Sequence, residues 1–242
     1  MRLALVYGRL QVVELVRFPG FSVATLGFPT LLFVLFGLPH IDEHANVLLA
    51  SYAAFSVLGV AFFQFGVSTA IERVTAWHTF VRILPAPAAS RFAGRTLAAF
   101  VFAALSAATV IVVALATTSA SLTATEWLRL VVALVAGAVP FVLLGLAIAY
   151  WTSPRTALPV ANILYMLLSY AGGLWTGPGD LPHAVGVISS YTPTRQWGDI
   201  LWPTVTGEPW RVAHWLALTA YTAGFAVIAA WGYRRDEGQR FR

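Results

Sequence analysis

The chain has 242 residues, of which 59% are hydrophobic and only 10% charged, and its net charge is +5. A soluble domain carries about 25% charged residues, so this composition excludes a soluble fold and makes the lipid bilayer the solvent to reason with. Cysteine is absent and all fifteen basic residues are arginine, which excludes disulfides, iron–sulfur clusters, thiol or Schiff-base catalysis and any P-loop, whose phosphate-binding step needs a lysine.

In residues 1–20, Leu3, Val6, Leu10 and Val13 recur at spacings of three and four, while Arg2, Arg9 and Arg17 avoid that stripe. The pattern predicts an amphipathic helix lying along the inner membrane surface. Arg9, Glu14 and Arg17 interrupt the apolar core that a secretory signal would need, so a cleaved leader is not expected. Pro19 disfavours helical geometry at Phe18 and turns the chain into the first span.

A helix rises 1.5 Å per residue, so roughly 20 apolar residues cross the hydrocarbon core. Six stretches meet this expectation, near 21–38, 46–71, 96–118, 127–151, 157–175 and 212–233. Segments 1–20, 72–95, 152–156 and 234–242 hold twelve of the fifteen arginines; the alternate segments and the entry to the fourth span hold Arg129, Arg195 and Arg211. Positive charge marks the cytoplasmic side. The expectation is an all-α polytopic protein, one domain over 1–242, with six spans and both termini inside.

Between the first two spans, "HIDEH" at 40–44 matches the H-x-x-E-H pattern of inverted zinc peptidases. That pattern needs a helix, whereas this one follows Pro39 in a short connection with no third ligand in view, so no metal site is expected. "GVST" at 66–69 and His214 hold the residue types of an intramembrane serine protease. The topology puts Ser68 near the inner surface and His214 near the outer one, so no catalytic dyad forms. Gly59, Phe63 and Gly66 share a helix face suited to close packing.

The inner loop, 72–95, carries four arginines between two apolar spans. Within it Trp77, Phe80, Val81 and Leu84 recur at 0, 3, 4 and 7, with Thr75, His78, Thr79 and Arg82 on the other side. Three turns of amphipathic helix over 74–84 are predicted, stopped by Pro85, with Pro87 preventing a restart. Positive-inside topology requires neither the periodicity nor the Trp-Phe stripe, so the loop reads as a rigid knob made to be gripped or pushed.

On the fifth span Asn162, Tyr165, Met166 and Ser169 fall at i, i+3, i+4 and i+7. One slightly polar face on a membrane helix points to the bundle interior or a partner. Substrate contact and a structural hydrogen bond from Asn162 both fit. No acid or base stands mid-span, which disfavours a proton- or sodium-coupled carrier. In 176–211, Pro182, Pro193 and Pro203 cut the chain into pieces too short to span, yet Trp197, Ile200, Leu201 and Trp202 are apolar. Two short helices dipping into the outer leaflet fit, provided protein or a water-filled cavity covers them; a surface loop with aromatic anchors is the alternative.

In order along nearly the whole chain, these features resemble the permease subunit of type-2 ABC transporters, the class of drug, polysaccharide and lipid exporters. "RFP" at 17–19 ends the first helix as in that family. Glu72, Arg82, Pro85 and "GR" at 94–95 stand where its first inner loop has them. "VANILY" at 160–165, "GGLW" at 172–175, "LP" at 181–182, "YTPTRQWGD" at 191–199 and "YRRDE" at 233–237 are similar to its later segments. The glycine that usually follows the loop's glutamate is missing, with Thr75 or Ala76 in that region.

The resemblance implies an ATP-driven exporter in a bacterial-type cytoplasmic membrane. Glu72, Arg73, Trp77, His78, Phe80, Val81, Arg82 and Leu84 would form the coupling element for a separate ABC ATPase, present in two copies. That ATPase would carry the ATP and magnesium, leaving no cofactor in this chain. A second permease, an identical copy in preference to a different one, would complete a pathway between second and fifth spans. Phe55, Phe62, Phe63, Asn162, Tyr165, Met166 and Ser169 are its candidate lining. The implied partners include the lipid bilayer and no nucleic acid. A membrane scaffold or sensor, whose knob binds a cytoplasmic regulator without transport, is the alternative from another class.

Overall fold

The computed structural model describes residues 2–17, 19–40, 45–75, 88–179 and 181–240. Among them every regular element is helical. Helix α1 (Arg2–Arg17) is followed by α2 (Pro19–Leu32), whose line continues through a π-helical turn, Phe33–Gly37. Helix α3 (Ala45–Val60) runs on through a π-helical stretch, Ala61–Ser68, into a last α-helical turn, Thr69–Glu72. Then come α4 (Ala88–Thr117), α5 (Ala124–Trp151), α6 (Pro154–Ala171), α7 (His183–Ser189), α8 (Pro193–Thr206) and α9 (Val212–Arg240).

Local chemistry sets several of these ends. Thr123 and Glu126 form a capping box at the start of α5, and Ser153 with Thr156 does the same for α6, where Pro154 occupies the first turn. Gly207, at φ +79°, stops α8 in the left-handed conformation. The Asn46 side chain donates to the Ser121 carbonyl at 3.0 Å and accepts from its N–H at 2.9 Å, tying the α4–α5 connection to the start of α3.

The sequence reading expects six spans. Among the described residues four helices are long and apolar enough to cross a membrane: Ala45–Glu72, Ala93–Thr117, Ala124–Trp151 and Val212–Asp236. The stretches expected as first and fifth spans are helical as well. The first is helical from Pro19 through Gly37, 14 residues of α2 and five of the π-helical turn, and its described apolar part is Thr25–Gly37. In the fifth, α6 includes Arg155, Pro159 and Asn162 in its 18 residues. Helix α4 is already formed at Ala88, so the last residues of the 72–95 segment read from sequence are helical.

Helix α3 is the buried centre of the bundle. Helices α2, α4, α5, α6 and α8 pack around it, α9 leans along α5, and α1 lies against α4. A Cβ on Gly145 of α5 would lie 2.6 Å from the Ala61 carbonyl oxygen, so α3 and α5 cross with backbones nearly touching. Helix α1 uses Gly8 for its close approach to Gly94 and Leu97 of α4 and leaves Val6, Leu10 and Val13 exposed. These three residues of its apolar stripe therefore lie on the surface of the bundle.

Candidate coupling and pathway site

Of the loop residues singled out from sequence, Glu72 and Arg73 fall within the described residues. Trp77, His78, Phe80, Val81, Arg82 and Leu84 lie outside them, as does the helix expected over 74–84 beyond Thr75. The root of the loop is nonetheless clear. Glu72, on the last turn of the α3 rod, pairs with Arg95 near the start of α4, and Arg95 also donates to Thr69 Oγ1 at 2.8 Å. The two ends of the connection are thus closed on one another by charge. Arg73 turns the other way. One of its guanidinium nitrogens donates to Asp236 near the end of α9, and the other donates to the Thr152 carbonyl at 2.6 Å, between α5 and α6.

The Arg73 and Asp236 side chains are only 12% and 14% exposed. A pair so little hydrated is held by charge-assisted hydrogen bonds, and deleting either partner takes a compensating charge from the other. Neighbouring residues 72 and 73 therefore anchor α3 to α4, to the α5–α6 corner and to α9. Sequence reading names Glu72 and Arg73 but misses Asp236, Thr152 and Thr69. The only signal for Asp236 is its place in the "YRRDE" tail.

The proposed lining residues divide into two groups. Phe55, Phe62, Tyr165 and Ser169 are buried within this one chain. The Tyr165 ring stacks on Phe55 with centroids 4.5 Å apart, and its hydroxyl donates to the Phe55 carbonyl at 3.1 Å. Gly59 permits this contact, since a Cβ there would stand 3.1 Å from that hydroxyl. Phe63 meets the same ring edge-on at 5.7 Å, and Ser169 donates to the Tyr165 carbonyl. Asn162, by contrast, is exposed, and Met166 is half-buried. The polar face of α6 is thus split: its Tyr165–Ser169 side locks onto α3 and Asn162 faces outward.

The segment before α9 is fixed more tightly than its sequence announces. Trp197 of α8 is fully buried, donates its indole N–H to the Ala133 carbonyl of α5 at 2.9 Å, and lies 5.2 Å from Phe141. Trp202 donates to Ser51 Oγ of α3 at 2.8 Å, and Thr194 to the Leu168 carbonyl of α6 at 2.6 Å. Three bundle helices hold α8. Arg195 bridges to Asp199 at 3.0 Å, with its guanidinium over the Trp202 ring.

An all-helical bundle with several apolar helices of membrane length defines a multi-pass membrane protein. Its family follows from comparison with known proteins. The family model described as "ABC-2 type transporter" matches residues 5–201, and the chain belongs to that family as a transporter permease subunit. It is also similar to a Bacillus subtilis (strain 168) protein named "Putative transport permease YvfS", with 28% identity over 189 residues that cover 78% of this chain and 77% of the relative. No solved structure matches the chain.

Proposed function

We propose that this permease is the membrane half of an ATP-driven exporter. It works as a dimer, most simply of identical chains, with two copies of a separate ABC ATPase, in a bacterial cytoplasmic membrane with both termini inside. Family membership across 5–201 carries this reading. The absence of lysine from these 242 residues supports it, because a P-loop needs that residue, so the motor that hydrolyses ATP lies outside them.

Two further helices complete six spans in this reading. Helix α2 with its π-helical turn and α6 are each about 27–28 Å long, close to the hydrocarbon thickness. The substrate pathway forms between facing copies where their second and fifth spans meet, with the exposed Asn162 side of α6 toward it. Helix α3 is uncovered only on rearrangement of the bundle, and α7 with α8 re-enters from the outer side to cap the pathway. Residues 72–87 form the coupling element. Because Glu72 and Arg73 tie the loop root to three parts of the bundle, a push on the loop moves them together, as alternating access requires. The exposed apolar surface favours a hydrophobic or amphipathic substrate.

Co-expression with a candidate ABC ATPase and reconstitution in vesicles test the proposal. The expected result is a complex of two permeases and two ATPases whose ATP hydrolysis rises with drugs, lipids or glycans and which moves one of them outward. A stable complex with a regulator that neither hydrolyses ATP nor transports would instead establish the scaffold reading.

A further inference from the structure

The end of α5 and the end of the apolar part of α9 enclose a cleft of about 410 Å3, lined by Arg73, Trp151, Thr152, Ser153, Arg235 and Asp236. The spans Ala124–Trp151 and Val212–Asp236 both stop here, so the cleft lies where the hydrocarbon gives way to headgroups. Trp151 meets Trp231 edge-on at 5.0 Å and Tyr150 meets Tyr233 at 5.4 Å, the aromatic belt of such a boundary.

Charge inside the cleft is unbalanced. Arg73 and Asp236 compensate each other. The Arg235 guanidinium lies over the Trp151 ring, 5.3 Å from its centroid, and has no carboxylate partner among the described residues. Trp151 is itself fixed, since its indole N–H donates to the Ile228 carbonyl at 3.0 Å. A stacked guanidinium keeps its edge donors available, and their planar fork matches two oxygens of a phosphate.

Apolar surface leads to that cation. Trp231, Ile228 and Val227 stand four, seven and eight residues before Arg235 on α9, hence on one helix face. They are 63%, 43% and 67% exposed. A free phosphate would use the cation alone, whereas a phospholipid uses both features. We infer that this cleft binds an anionic phospholipid, its phosphate on Arg235 against Trp151 and an acyl chain along the Val227–Ile228–Trp231 stripe of α9. Nothing in the transport reading requires this site, and its test needs no ATPase.

Native mass spectrometry of the purified full-length chain, titrated with phosphatidylglycerol or phosphatidylcholine, tests the assignment. The expected result is retention of phosphatidylglycerol over phosphatidylcholine. Arg235→Gln lowers that retention about tenfold, as loss of a charge-assisted contact implies, and Arg235→Lys, which keeps the charge but not the planar fork, restores only part of it. Arg234→Gln, which removes the same charge from the next exposed position, changes it less than about twofold, the usual effect of an isolated surface charge. Ile228→Asn also weakens retention, through the acyl stripe. Equal loss in the 234 and 235 variants would reduce the effect to general surface charge and overturn the site. Equal retention of both lipids, or displacement of the lipid by equimolar inorganic phosphate, would overturn the phospholipid assignment.

Discussion

Gly137 sits so close beneath Trp197 that a Cβ added there would lie 1.8 Å from the indole nitrogen. No rotamer adjustment of a few tenths of an ångström relieves that overlap, so Gly137→Ala is expected to expel the ring. The loss then includes the bond to the Ala133 carbonyl and the contact with Phe141. Truncating a buried tryptophan costs about 3–5 kcal/mol in soluble cores. In lipid the lower end applies, because apolar transfer contributes little there and packing carries the stability. Both Gly137→Ala and Trp197→Ala should therefore lower the thermal unfolding midpoint of the detergent-solubilised protein. The double variant should be no less stable than Trp197→Ala alone, since the vacated space accepts the methyl group. Strictly additive losses would show that the two positions do not share that space.

Elements are legible in the sequence to different depths. The helices that carry membrane-length apolar runs follow from hydropathy, and α1 follows from its stripe. Residues 88–95 are alanine- and arginine-rich, too polar to read as a span yet good helix formers, so α4 starts well before its apolar stretch. The π-helical part of the α3 rod is illegible, because an apolar run looks the same in either helix. Contacts such as Arg73–Asp236 join residues 163 apart, and no local period encodes them. The face of α6 shows the same limit. A heptad-like spacing groups Asn162 with Tyr165 and Ser169, but only packing against Phe55 decides which of them is covered. Single cysteines in this cysteine-free chain should expose that division. Asn162→Cys should react with small aqueous thiol reagents if α6 lines a pathway, while Tyr165→Cys and Ser169→Cys stay protected in the resting protein. Protection at 162 as well would place that face against lipid. The short helices α2 and α6 are tested by topology reporters: fusions after Glu43, Leu122 and Arg195 should report outside, and those after Arg82, Pro154 and Arg242 inside. An inside signal after Arg195 would mean that α6 does not cross or that the outer segment crosses as well, and the six-span count would be wrong.

At the scale of the whole molecule, the root of the 72–87 connection is where a force on the loop would enter the bundle. Glu72 closes the loop onto α4 through Arg95, and Arg73 reaches α9 and the α5–α6 corner. Removing Arg73 leaves the little-exposed Asp236 carboxylate without that cation, a change worth about 2 kcal/mol or more. Arg73→Met should therefore lower both the unfolding midpoint and transport, and exchange of the two residues, Arg73→Asp with Asp236→Arg, should recover part of each. The knob itself separates function from topology. Trp77→Ala keeps the charge of the loop, so a segment needed only for positive-inside orientation would not register it. An anchor tryptophan in an interface costs about 2 kcal/mol or more when truncated, and an arginine paired with a carboxylate there costs at least as much. Trp77→Ala and Arg82→Glu are expected to insert normally yet lose the co-purifying ATPase or abolish export, while Arg91→Gln, on α4 beyond the two prolines, does much less. Normal transport in both the 77 and 82 variants would leave the loop as a topological signal and move the coupling contact elsewhere on the cytoplasmic face.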